Sequence, residues 1–153
     1  DGVTSSKIEH NFLGISERGR VSLVRTLGNN PCHIILRGGK SGTNYSAPEI
    51  KKIKARITAK GETSSIVVDA SHGNSLKDYN KQSLVIYEVL RQIEAGEKDI
   101  KGLMIESNLH EGNQNIDSHP GLSYGISVTD ACISWESTLK LLEKINDTME
   151  DLL

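Results

Sequence analysis

The stretch Val67–Ser75 constrains the fold more than any other part of the sequence. Apolar and β-branched residues run into a polar cluster and then into a Gly-Asn pair, where a chain can change direction cheaply. Because side chains on a strand alternate between its two faces, Val68, Ala70 and His72 are predicted to share one face. The stretch therefore predicts a strand that carries a histidine at its carboxyl end.

Two further apolar segments follow the same plan. Gly102–Glu106 ends on a carboxylate before a polar loop, and Cys32–Arg37 ends on a guanidinium before two glycines. Together with the segment that ends on His72, these strands each deliver a charged or coordinating residue at the same end. An α/β barrel builds its active site in this way.

Strand and helix patterns alternate along the rest of the chain. Residues 11–16 and 21–26 predict the two arms of a β-hairpin, and Ser46 with Glu49 forms a capping-box pattern at the start of a helix that ends at Gly61. Two later helices are predicted from apolar residues at helical spacing: Leu84, Tyr87, Leu90 and Ile93 within 79–95, then Leu139, Leu142, Ile145 and Met149. This order predicts a parallel sheet with about four barrel-type strands.

The length of the chain is short for a closed barrel. Eight strand–helix units usually need about 250 residues, whereas this sequence has 153. Four strands alone would leave long apolar sheet edges unpaired. We therefore expect residues 1–153 to form the C-terminal part of a single barrel domain whose N-terminal half is absent from the sequence.

The charge balance and the cysteines bear on partners and compartment. The chain carries 18 Lys and Arg against 20 Asp and Glu, a net charge of −2, which favours neither a nucleic acid nor a membrane surface as partner. Cys32 and Cys132 are too few for a disulfide framework and are predicted to be buried thiols. We expect a cytoplasmic protein.

His72, Glu106 and Asp130 are the best candidates for a metal site, because they follow strands in separate units of the chain. Mixed nitrogen and oxygen ligands suit Mn, Fe, Co or Zn better than Ca. The alternative is a histidine that caps a loop and carboxylates that are merely solvated.

Arg37 is the candidate for phosphate binding. An arginine beside two glycines can offer its planar fork to a phosphate while the backbone approaches closely. The alternative is a surface arginine beside a flexible turn.

Four motifs give the sequence a specific resemblance. They are Cys32–Lys40, Asp69–Ser75, Ile105–Asn108 with Glu111–Gln114, and Tyr124–Trp135. In this order and spacing they closely resemble class I 3-deoxy-D-arabino-heptulosonate 7-phosphate (DAHP) synthases, from about Phe12 to the end of the chain. The resemblance implies a (β/α)8 TIM barrel, of which this chain supplies the C-terminal half plus an inserted β-hairpin. It also implies condensation of phosphoenolpyruvate with erythrose 4-phosphate, the first step of the shikimate pathway to aromatic amino acids.

The resemblance implies roles for particular residues. His72, Glu106 and Asp130 would be three of four ligands to a divalent metal, and Arg37 would hold the phosphate of phosphoenolpyruvate. The fourth ligand would be a cysteine on an early strand, a position that neither cysteine here occupies. We therefore expect the isolated chain to be inactive. The alternatives are another metal-dependent aldolase-like barrel, or an inactive fragment that only pairs with its missing half.

The resemblance also implies regulation and assembly. An aromatic amino acid would bind beside the hairpin at Phe12, Gly14 and Val24, and a glycine at position 14 favours tyrosine slightly over phenylalanine. The enzyme would be a homo-oligomer, a dimer or a tetramer. Before His10 the family has an additional helix, so we expect Thr4-Ser5 to join two segments across missing residues.

Overall fold

The protein, described from a computed structural model, is a mixed α/β chain, as the sequence predicts. The structure describes residues 2–63, 65–118 and 120–152. The strands are β1 (His10–Ile15), β2 (Val21–Thr26), β3 (Ile34–Leu36), β4 (Ile66–Asp69) and β5 (Ile100–Met104). The helices are α1 (Gly2–Ser6), α2 (Ala47–Thr58), α3 (Gln82–Glu94) and α4 (Trp135–Glu150), with 3₁₀ turns at Tyr79–Lys81 and Ile116–Ser118.

The central sheet is parallel, with the order β3-β4-β5. Leu36 pairs with Val68, and Asp69 pairs with Met104, so the carboxyl ends of all three strands meet at one edge. The middle strand is the most buried of the three, as expected for the centre of a parallel sheet covered by helices. The buried core is formed by Leu36, Ile50, Ile66, Val68, Ala70, Val85, Ile86, Val89, Leu90, Ile100, Ile133 and Leu141.

A fourth barrel-type strand is represented by an isolated contact. Ile133 forms a parallel bridge with Ser107, and its N–H donates to the carbonyl of Glu106 at 3.0 Å. This bridge continues the sheet beyond β5 without a regular ladder. The half-barrel architecture itself stays a prediction.

The β-hairpin is confirmed, with β1 one residue earlier than predicted. Phe12 pairs with Val24 and Gly14 pairs with Ser22, in antiparallel register. One face of the hairpin is half-buried, whereas its other face exposes the apolar side chains of Leu13, Ile15, Val21 and Leu23.

The start of α2 differs from the prediction in its chemistry. Ser46 is the N-cap residue, as predicted, but its side chain makes no capping hydrogen bond. The capping box with Glu49 was therefore wrong. A proline in the first turn of α2 sets the helical backbone angle there instead.

The helix faces that pack on the sheet agree only in part with those predicted. In α3 Leu90 is buried and Ile93 packs against the core, as predicted, but Leu84 and Tyr87 are exposed; the other buried apolar side chains are Val85, Ile86 and Val89. In α4 Ile145 packs against the core, as predicted, but the buried leucine is Leu141, and Leu139, Leu142 and Met149 are exposed. Each helix carries apolar residues on more than one face, so spacing alone does not select the face that meets the core.

The N-terminal helix and the thiols complete the comparison with the sequence. Thr4 and Ser5 are consecutive residues of α1, and the expected junction between them stays a prediction. Cys132 is buried as predicted; Cys32 precedes β3, is only half-buried, and donates its thiol hydrogen to the carbonyl of Asn29 at 2.8 Å. Within the described residues, no helix is both long and apolar enough to cross a membrane.

Candidate metal and substrate site

His72 is positioned by the loop after β4, whereas the sequence predicted that the strand itself would position it. The strand ends at Asp69, three residues earlier than strand alternation requires, and His72 lies in the loop with φ of +49°. Such a left-handed backbone is uncommon for a residue other than glycine and is found where surrounding contacts enforce it. The placement of His72 at the carboxyl edge of the sheet was right, but the reason was wrong.

The carboxylate of Asp69 orients the imidazole of His72 by a hydrogen bond. Its carboxylate is almost fully buried, with 1% of the residue exposed. One oxygen accepts from the backbone N–H and the hydroxyl of Ser71, at 2.8 and 2.7 Å, and the other lies 2.9 Å from Nδ1 of His72. The Ser71 oxygen also lies 2.7 Å from Nδ1, and its hydrogen is donated to Asp69. Because the carboxylate only accepts hydrogen bonds, Nδ1 carries the proton, and Nε2 of His72 points away from Asp69.

Nε2 of His72 points at two further carboxylates. It lies 3.3 Å from an oxygen of Glu106 and 3.6 Å from an oxygen of Asp130. One ligand atom from each of the three residues lies within 4.8 Å of the others. With metal–ligand bonds of about 2.0–2.2 Å, two donors on one ion lie at most about 4.4 Å apart, so the distances of 3.3 and 3.6 Å from Nε2 of His72 to the two carboxylates fit a common ion. The donor set of one imidazole and two carboxylates fits a divalent transition metal or zinc.

The triad lines a cavity of its own, separate from a larger cavity of the protein. His72, Glu106 and Asp130 line a small cavity of about 30 Å³, together with Lys77. A larger cavity of about 610 Å³ lies between β3 and α2 and includes none of these residues.

The segment that carries Asp130 is held at its base. The backbone of Cys132 exchanges two hydrogen bonds with Gly112, at 2.9 and 3.1 Å.

Burial raises the pKa of the Cys132 thiol because desolvation disfavours the thiolate, and the charges of Glu106 and Asp130 raise it further. The buried thiol therefore stays neutral beside the carboxylates.

Arg37 follows β3 directly. Its guanidinium faces the same Asp69 carboxylate that contacts the imidazole of His72. Its Nε lies 3.8 Å from the Asp69 carboxylate, and its side chain is 57% exposed. The carbonyl of Arg37 accepts from the N–H of Gly73 at 3.0 Å. A Cβ at Gly38 would lie only 2.5 Å from the carbonyl carbon of Gly73, so two glycines let the loops pack backbone to backbone. The arrangement places an accessible guanidinium at the same sheet edge as the triad.

Asp69 and Asn74 are the functional residues that site prediction from the sequence missed. The buried Asn74 amide donates to the carbonyls of Leu36 and Asp69, both at 2.9 Å, and its oxygen accepts from the N–H of Asn44. These bonds tie the end of β3 to the end of β4. The available signal was a charged residue closing an apolar run, since a buried carboxylate needs partners.

The three predicted regulatory residues lie together on one face of the hairpin. A Cβ built on Gly14 would lie 2.7 Å from a methyl group of Val24 and 3.8 Å from the ring of Phe12. A side chain at position 14 would therefore fit only if Val24 shifted. Their regulatory role stays a prediction.

The fold and the site define a parallel α/β protein with a donor set that fits a divalent metal and an exposed arginine at the same sheet edge. Comparison with known families makes this class specific. The DAHP synthetase I family profile matches residues 1–143. The chain belongs to the DAHP synthetase I family, which confirms the resemblance seen in its motifs.

Individual relatives agree with this assignment. The chain is 47% identical over 145 residues to the Tyr-sensitive phospho-2-dehydro-3-deoxyheptonate aldolase of Escherichia coli K12, covering 94% of this chain and 40% of the relative. It is 43% identical over 150 residues to the Phe-sensitive enzyme of the same organism, covering 98% and 43%. The structure of a phospho-2-dehydro-3-deoxyheptonate aldolase from Francisella tularensis SCHU S4 matches with a TM-score of 0.91 and 40% identity, over 97% of this chain and 43% of that one. The chain therefore spans about two fifths of the length of these relatives.

Proposed function

We propose that this chain is part of a DAHP synthase, which condenses phosphoenolpyruvate with erythrose 4-phosphate to give DAHP and phosphate. The observation that carries the proposal is the cluster of His72, Glu106 and Asp130 at the carboxyl edge of the sheet, in a chain of the DAHP synthetase I family. This reaction opens the shikimate pathway to aromatic amino acids.

The triad supplies the binding site for the metal. His72, Glu106 and Asp130 would hold Mn, Fe, Co or Zn, and a bound metal would supply Lewis-acid polarisation of the aldehyde oxygen of erythrose 4-phosphate. Asp69 keeps the proton of His72 on Nδ1, which leaves the Nε2 lone pair free for the ion.

Arg37 binds and orients phosphoenolpyruvate through its phosphate. The exposed planar fork suits two parallel hydrogen bonds to phosphate oxygens, and the contact with Asp69 restrains its stem. In the reaction C3 of phosphoenolpyruvate bonds to the aldehyde carbon, water adds at C2 and phosphate leaves. A fixed guanidinium beside that phosphate orients the substrate and stabilises the charge that moves onto the leaving group.

We infer that the chain supplies the C-terminal half of a TIM barrel and is inactive alone. In the described part of the chain, the outer edges of β3 and β5 pair with no further regular strand, which supports this inference, as does the chain's coverage of two fifths of its relatives. The same coverage favours a second candidate, a non-catalytic fragment that pairs with a missing half.

A chimera separates these functions. The chain replaces the matching segment of the Tyr-sensitive E. coli relative, and loss of phosphoenolpyruvate is followed with and without erythrose 4-phosphate and a chelator. We expect consumption that requires both erythrose 4-phosphate and a divalent metal. Consumption without erythrose 4-phosphate would indicate a different aldolase-like reaction, and an inactive but folded chimera would indicate the non-catalytic fragment.

Regulation and assembly follow from the hairpin. Two relatives are named for sensitivity to tyrosine and to phenylalanine, and we propose an aromatic amino acid site at Phe12, Gly14 and Val24, with tyrosine slightly favoured. The exposed apolar face of the hairpin supports a homo-oligomer, a dimer or a tetramer. The free thiols favour the reducing cytoplasm.

A further inference from the structure

Glu106 lies beyond the end of the regular sheet and yet has a fixed backbone. The strand β5 ends at Met104, so the strand ladder leaves the N–H of Glu106 unpaired. The side chain of Gln82 takes the place of the neighbouring strand. Its amide oxygen accepts from the N–H of Glu106 at 2.9 Å, and its amide nitrogen donates to the carbonyl of Glu106 at 3.0 Å.

The side-chain amide of Gln82 replaces the hydrogen bonds that a peptide group of a neighbouring strand would make to Glu106. A side-chain amide has the same donor and acceptor as a backbone peptide, and the reciprocal pair fixes both sides of one residue. Gln82 is the first residue of α3 and is 0% exposed, so the packed core holds its side chain in one position. The carbonyl of Glu106 also accepts from Ile133, but the N–H has only Gln82 among the described hydrogen bonds.

We propose that Gln82 is a positioning residue for the metal site, acting through the backbone of Glu106. The inference rests on the proposed function, because it takes Glu106 as a metal ligand. Fixing the backbone of Glu106 fixes the direction of its carboxylate, which lies 3.3 Å from Nε2 of His72. Loss of this clamp lets the carboxylate rotate away from the other two donors, so the metal binds more weakly while the helix still packs on the sheet.

Gln92 provides a matched control on the same helix. It is also a buried glutamine, 4% exposed, and its amide donates to the carbonyl of Tyr45 and to the carboxylate of Glu88, both at 2.9 Å. Replacing either glutamine with methionine preserves size and removes two hydrogen bonds: those to the N–H and carbonyl of Glu106 for Gln82, and those to Tyr45 and Glu88 for Gln92. Of these two glutamines, only Gln82 is hydrogen-bonded to a member of the triad.

The experiment uses the chimera with the Tyr-sensitive E. coli relative and compares metal binding by the unsubstituted chimera and by its Gln82→Met, Gln92→Met and His72→Ala variants. Each protein is first checked for folding by circular dichroism and thermal unfolding. Co²⁺ is then titrated while its visible absorption is recorded, and Mn²⁺ affinity is measured by calorimetry. We expect Gln82→Met to weaken binding by about 10-fold or more, the range found when an outer partner of a metal ligand is lost. Its Co²⁺ bands should change shape, whereas Gln92→Met should keep the affinity within about two-fold and the bands unchanged.

The outcomes separate this role from the metal site itself. Equal affinities for Gln82→Met and Gln92→Met, with binding by the unsubstituted chimera that His72→Ala removes, would overturn the role of Gln82 alone. Absence of saturable, His72-dependent binding by the unsubstituted chimera would overturn the metal site and this inference with it. If Gln82→Met does not fold, Gln82→Asn serves, because its amide is one methylene too short to span both groups of Glu106; the same weakening is expected, and unchanged affinity would refute the clamp.

Discussion

Replacing Asp69 with asparagine tests whether the buried carboxylate sets the tautomer of His72. Asparagine preserves the shape and can keep one oxygen for the N–H and hydroxyl of Ser71, which lie at 2.8 and 2.7 Å. It then places an N–H donor where a carboxylate oxygen now faces Nδ1 of His72 at 2.9 Å. Two donors cannot face each other, so the imidazole proton moves to Nε2, the atom that points at Glu106 and Asp130.

The expected cost follows from this change of tautomer. With its proton on Nε2, His72 can ligate a metal only after breaking its contact with residue 69, or after the amide flips and gives up the bonds to Ser71. Loss of such an outer partner weakens metal binding by about 10- to 100-fold, which corresponds to about 1.4–2.8 kcal/mol of binding free energy. We expect Asp69→Asn to fall in this range.

The assay combines metal affinity with the tautomer itself. Co²⁺ and Mn²⁺ titrations give the affinities, and ¹⁵N NMR of the metal-free chain reports which nitrogen of His72 carries the proton. Asp78→Asn is the control, because Asp78 lies in the same connection between β4 and α3 but its carboxylate faces Asn80 and Lys81 instead of His72. We expect it to change affinity by less than two-fold. An Asp69→Asn chain with unchanged affinity and unchanged tautomer would refute the reasoning.

The other predictions address metal, substrate, thiols and regulation. His72→Ala should weaken Mn²⁺ binding by more than about 100-fold while the protein stays folded, since the ligand lies in a loop and not in the core; a retained affinity would remove His72 from the site. Arg37→Lys in the chimera should raise the KM for phosphoenolpyruvate alone, because an ammonium lacks the planar fork; an unchanged KM would make Arg37 structural. Cys132, whose pKa burial raises, should react with iodoacetamide at pH 8 more slowly than the half-buried Cys32, measured by peptide mass spectrometry; the reverse order would contradict the packing around it. Gly14→Ser should shift inhibition of the chimera from tyrosine toward phenylalanine, with Val24 displaced because the new Cβ would lie 2.7 Å from its methyl group; unaltered selectivity would show that Gly14 does not set it.

The sequence was sufficient to place the chemistry at one edge of the sheet. Parallel strands bring their carboxyl ends together, so the order of apolar runs already predicted that Arg37, His72 and Glu106 would lie at a common edge. Alternation along a strand could not predict the direction of His72, since the strand stops at Asp69 and the loop backbone turns to φ of +49°. That direction depends on contacts made across the loop, which no local pattern contains.

The helix faces show a second limit of the same kind. In α3 the residues Leu84 and Tyr87 match helical spacing as well as Val85 and Val89 do, yet only the second pair is buried. The choice is made by the sheet beneath, where Ile66 and Val68 are fully buried. The polar residues that enter this core, Gln82 among them, could not be assigned from the sequence because their partners are backbone groups of distant strands.

The structure gives the predicted phosphate and metal subsites a common support. Asp69 lies 2.9 Å from the imidazole of His72 and 3.8 Å from the guanidinium of Arg37, so one buried carboxylate faces both. Asn74 bonds the carbonyls at the ends of β3 and β4, and the close packing of Gly38 on Gly73 leaves no room for either loop to move independently. Because both loops share these contacts, a displacement of the loop that carries Arg37 also displaces His72, even with no ligand bound. Asn74→Ala, which touches neither a metal ligand side chain nor the guanidinium, should therefore weaken both phosphate and metal binding, a coupling that independent subsites would not show.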